Sequence, residues 1–117
     1  MTQPKTKQDY ILQLNTAVRL YDKQIDAANK KYPDLFILIV ANLYTRYTRN
    51  ATGKIWRADL VADPMAATKL IKSDADALFQ DAERNGRHPR IVPVRDAFIE
   101  YRAALLQMKQ LLTEGKP

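Results

Sequence analysis

DLFILIVANLYTRYTR, residues 34–49, decides how this chain folds. Phe36, Ile39, Val40, Leu43, Tyr44 and Tyr47 recur with the period of an α-helix. Leu35, Ile37 and Leu38 fill the flanks, so the first half is apolar nearly all round. A helix of that kind sits at the centre of a domain, with neighbours on several sides. The competing reading is a buried strand over residues 35–40. Length and the continuing period favour a helix over about 34–49.

The segments on either side read as helices too. Ile11, Leu14, Val18, Tyr21, Ile25, Ala28 and Tyr32 are spaced alternately by three and four, a seam that only a helix keeps on one face. The seam predicts a helix over about 8–32, roughly 37 Å long, which ends at Tyr32-Pro33 because Pro disfavours helical geometry in the residue before it. Asp63-Pro64 is a helix start, with Asp as cap and Pro at the first position. Ala67, Leu70, Ile71, Ala75, Leu78, Phe79 and Ala82 then carry a helix over about 64–85, closed by Asn85-Gly86. Ile91, Val94, Phe98, Tyr101, Leu105, Met108 and Leu112 give a last helix over about 94–113, terminated by Gly115. Residues 50–62 read as a loop with a short helical turn near 55–61.

The expected fold is all-α, a four-helix bundle forming a single domain over 1–117. The alternative is α+β, with a small β-hairpin at about residues 44–60 turning at NATGK. Heptad-like seams leave room for a homodimer, although bundles use the same pattern inside one core.

With 117 residues, 46% hydrophobic and 27% charged, the chain has the length and composition of one ordinary globular domain. It has no Cys, which excludes disulfides, thiolate metal sites and a Cys nucleophile. MTQPKTKQDY lacks the apolar core of a signal peptide, and the apolar run LFILIVA is too short to span a bilayer. A cytoplasmic protein with no membrane partner is expected.

The formal net charge is +6, and its distribution carries the functional reading. RYTRNATGKIWR, residues 46–57, holds Arg46, Arg49, Lys54 and Arg57 around Tyr47 and Trp56, without an acid. RNGRHPRIVPVR, residues 84–95, holds Arg84, Arg87, Arg90 and Arg95, again without an acid. The other 93 residues carry 11 cations and 13 acids, so these two stretches supply the whole positive excess. Arg meets phosphate oxygens two at a time, and Tyr47 and Trp56 are candidates for stacking on unpaired bases. The blander reading is a pair of solvated links, with Trp56 capping the core. In an up-down bundle the two links fall at opposite ends, which counts against a single patch, although Arg46 and Arg49 would form a stripe on a helix flank.

No catalytic constellation emerges. His88, the one histidine, sits among arginines, and no motif places a nucleophile beside it. The pairs Asp22/Asp26, Asp59/Asp63 and Asp74/Asp76 match neither a di-metal bundle nor a calcium loop, and Lys72/Asp76 is an ordinary helical pair. Gly53, Gly86 and Gly115 sit at turns or helix ends, not in phosphate cradles, and Asn50-Ala51-Thr52 is a chance glycosylation sequon. No cofactor, metal or catalytic residue is expected. The expected function is a non-enzymatic basic binding or regulatory protein. It would contact nucleic-acid backbone through Arg46, Tyr47, Arg49, Lys54, Trp56, Arg57, Arg84, Arg87, Arg90 and Arg95, without base-specific reading. The alternative is an adaptor or inhibitor that docks an acidic protein partner.

Overall fold

Residues 34–49 do not form a helix. In the computed structural model, which describes residues 6–114 and of Trp56 only the backbone, they form two antiparallel strands. β1 (Phe36–Val40) and β2 (Leu43–Arg49) are joined by Ala41 and Asn42. Both turn residues have positive φ, 53° and 64°, as a tight hairpin with right-handed strand twist requires. The physical reason for the misreading is burial. Ile37, Leu38, Ile39 and Val40 are all buried, because β1 is covered on both faces. Such a strand reads as an unbroken apolar run, which periodicity cannot separate from a buried helix.

The predicted all-α bundle is therefore replaced by an α+β fold, with three α-helices and a four-stranded antiparallel sheet among the described residues, ordered β3-β2-β1-β4. β3 (Ile55–Val61) occupies the expected loop and helical turn, and pairs with β2 along its length. The β2–β3 hairpin overlaps the alternative hairpin at about 44–60, but it belongs to the larger sheet. β4 (Pro89–Pro93) lies where a plain link was expected and pairs with β1. α1 (Lys7–Lys31) and α3 (Val94–Thr113) fall within a residue or so of their expected limits. The proposed terminator Gly115 lies outside the described residues.

The helix expected over 64–85 is shorter. Asp63 does cap, accepting from the Met65 N–H at 2.8 Å, but only a single 3-10 turn follows (Pro64–Ala66). The chain then runs extended until α2 (Lys72–Arg84). Leu70 exchanges two backbone hydrogen bonds of 2.7 Å with Phe36, and the Thr68 N–H donates to the Thr45 carbonyl at 3.0 Å. Those groups are taken up by the sheet and cannot also serve a helix.

Segment 67–70 is thus a wedge. β1 and β2 pair at Val40↔Leu43 and Ile39↔Tyr44, then separate around it. Thr45, the one buried polar residue among those described, donates its hydroxyl to the Leu38 carbonyl at 2.8 Å across the split. Lys69 pins the wedge by donating to the Met65 and Ala67 carbonyls at 2.7 and 2.9 Å, with its ammonium 5.4 Å from the centre of the Tyr32 ring. Burial lowers the Lys69 pKa.

The sheet separates two cores. On one face Ile37, Ile39, Tyr44 and Val92 pack beneath α1 and α3, where Phe98 meets Tyr21 and Tyr32 edge-on at 5.6 and 6.2 Å. On the other, Leu38, Val40 and Leu70 pack against Ala75 and Ala82 of α2. The α1 and α3 seams meet each other inside the first core, so they are not the free dimer faces they resembled. At roughly 37 Å, α1 outreaches strands of five to seven residues. The radius of gyration is 16.3 Å, against about 13–14 Å for a compact chain of this length. The excess reflects the α1–α3 arm.

Candidate nucleic-acid interface

The first basic stretch is a two-stranded ribbon. Because the wedge parts β2 from β1, the turn half of the β2–β3 hairpin does not pair with β1; Thr68 of the wedge holds its inner edge, accepting from the Tyr47 N–H at 2.8 Å, while Arg46, Thr48, Arg57 and Ala58 are exposed. Its turn is internally braced. The Asn50 side-chain carbonyl accepts from the Thr52 and Lys54 N–H groups at 3.0 Å each and from the Thr52 hydroxyl at 2.7 Å. Gly53 supplies the positive φ of 84° that closes it.

Alternation along the strands sorts the side chains. Arg46, Thr48, Arg57 and Asp59 share the α1/α3 side, and Thr45, Tyr47 and Ala58 face α2. The expected helix-flank stripe of Arg46 and Arg49 is therefore absent. Arg46 lies 3.6 Å from Asp59, while Arg49 crosses the other way, 3.0 Å from Asp74 on α2, and also donates to the Gly53 carbonyl at 2.9 Å. Arg57 shares Asp59 at 3.2 Å.

The strand part of the second stretch, β4, lies at the edge of the sheet opposite β3. Arg84 pairs with Asp81 at 3.7 Å. Arg90 pairs with Glu100 at 2.9 Å, and that hydrogen bond raises its pKa. Arg95 lies in the first turn of α3, beside Tyr32 and Pro33. The two stretches meet at one place among the described residues: Tyr47 and Arg87 line a cleft of about 310 Å³ with Asp81 and Asn85, between the ribbon and the end of α2. Tyr47 is half-buried there against the second core, and burial raises its pKa, with a further push from Asp81. Its ring is held by the core and is not displayed for stacking. The side chain of Trp56 lies outside the described residues. His88 is exposed in the turn before β4, at a φ of 48°.

Asp59, Asp74, Asp81 and Glu100 are the residues that sequence reasoning missed. Each lies outside the two basic windows, yet together they pair with Arg46, Arg57, Arg49, Arg84 and Arg90. Among the described residues Lys54, Arg87 and Arg95 have no ion-pair partner. The paired side chains remain substantially exposed, and such pairs are worth only about 0–1 kcal/mol, so a more highly charged anion can displace them. Asp59, two residues beyond Arg57, carried a signal: that spacing puts both on one face of a strand.

Among the described residues no cluster of three or more His, Asp or Glu could hold a metal ion, and no helix is long and apolar enough to cross a membrane. No protein family, curated protein or solved structure matches the chain.

Proposed function

We propose that the chain is a non-enzymatic binding protein that grips the phosphate backbone of a nucleic acid with the β2–β3 ribbon. One observation carries this reading: the ribbon is split from the sheet by the wedge and bears Arg46, Arg49, Lys54 and Arg57 around a rigid turn. A two-stranded ribbon has the width of a DNA major groove. Tyr47 packs into the core, so the reading rests on backbone contacts by the cations and not on stacking by its ring. Contact with backbone positions the protein without reading sequence.

Fluorescence anisotropy with labelled duplex and single-stranded oligonucleotides across a salt series tests this. Duplex binding is expected to weaken with salt, the logarithmic slope falling by about 0.9 per phosphate contact. Arg46→Ala/Lys54→Ala/Arg57→Ala should abolish it. Absence of binding at low salt rejects the reading.

The second reading, an acidic protein partner, is favoured by one feature. Leu60, next to Asp59 on β3, is 47% exposed and would give such a partner an apolar anchor. Leu60→Ala should weaken that docking and leave nucleic-acid binding unchanged.

A further inference from the structure

The outer face of α1 carries a stripe that is complementary to itself. Asp9, Leu12, Thr16, Leu20 and Lys23 are spaced 3-4-4-3, symmetric about Thr16, with an acid at one end and a base at the other. They lie opposite the buried seam of Val18, Tyr21 and Ala28. Leu12 and Leu20 are 62% and 43% exposed, and a shallow apolar trough runs between them past Thr16. The Thr16 hydroxyl already donates to the Leu12 carbonyl at 3.0 Å, so burying it strands no donor.

We propose that this face is where a second copy of the chain docks, α1 against α1, antiparallel, with the two-fold axis at Thr16. In that register Leu12 meets the other copy's Leu20 and Asp9 meets its Lys23, and the symmetry makes each contact twice. Opposite charges meet at both ends. In a parallel pairing, acid would face acid and base would face base. Asp9 also accepts from the Thr6 N–H at 3.2 Å within its own helix cap. Since the stripe faces away from α3 and the sheet, the antiparallel arrangement puts the two bodies at opposite ends of the shared helix pair. One helix face on each side belongs below about 1,200 Å² of total interface, so a weak, reversible dimer is expected.

Sedimentation of the full chain over a concentration series should show a monomer–dimer equilibrium. Leu12→Asp/Leu20→Asp should raise its dissociation constant at least about tenfold, equivalent to about 1.4 kcal/mol of association free energy, while circular dichroism stays unchanged. Cross-linking tests the register, and the chain has no Cys of its own to interfere. Thr16→Cys should oxidise to a covalent dimer, and Gln107→Cys, exposed on α3, should not. An equal mixture of Leu12→Cys and Leu20→Cys should cross-link, whereas Leu12→Cys alone should not: two copies of that residue would lie about 12 Å apart, too far for a disulfide. A chain that stays monomeric to about millimolar concentration overturns the proposal. So does self-linking of Leu12→Cys, which marks a parallel pair, or equal linking of Thr16→Cys and Gln107→Cys.

Discussion

Asp59 sits directly across the ribbon from Arg46 and two residues along from Arg57, within ion-pair distance of both. It holds two guanidiniums flat on the strand face. Removing its charge frees both and adds one to the local positive charge. In Asp59→Asn, duplex binding at fixed salt is expected to tighten several-fold with a steeper salt dependence. Unfolding free energy should move by less than about 1 kcal/mol, because the pairs are exposed. Parallel anisotropy and urea titrations measure both. Weaker binding in this variant would mean that the ribbon face is not where the nucleic acid sits.

At the scale of elements, the Ala41–Asn42 turn decides between helix and hairpin. Ala41 pays for its positive φ with a clash of its Cβ that glycine lacks. Ala41→Gly is expected to stabilise the chain by about 0.5–1 kcal/mol, read as a higher urea midpoint with unchanged slope. No Asn-Gly pair marks this turn, which is one reason the hairpin is hard to read. The elements that were legible, α1 and α3, are amphipathic helices, each with one buried seam and a wet back. Those that were not are fixed by partners distant in sequence. β1 is apolar because helices cover both faces, β4 is a strand with proline at each end, and 67–70 is straightened by pairing with Phe36 and Thr45. The site divides the same way. Its cations could be counted from the chain, but Asp74 reaches Arg49 and Glu100 reaches Arg90 only after folding.

The whole molecule is expected to respond to alkali through four buried or half-buried phenols. Burial is the largest cause raising the pKa of Tyr21, Tyr44, Tyr47 and Tyr101, and Tyr21 is raised further by donating to Asp63. A group with a raised folded pKa contributes stability that is complete below its unfolded value, here 10.0, and is lost as pH climbs through the folded one. Lys69 acts in the opposite sense: its lowered pKa makes stability rise with pH just below its unfolded value of 10.5. Four phenols outweigh one ammonium. Urea midpoints should stay level up to about pH 9 and fall steeply above about pH 10, and the fall should be shallower in Tyr21→Phe.

Among the described residues the open sheet leaves two strand edges without a partner strand, and a bare edge is a template on which foreign chains can polymerise. Each is blocked differently. β4 begins and ends with Pro89 and Pro93, which have no N–H to give, and β3 bears Arg57 and Asp59 beside the ladder irregularity at Thr48/Arg49. A chain guarded in this way is expected to resist fibre growth and to stay dispersed at concentrations that aggregate unguarded sheets.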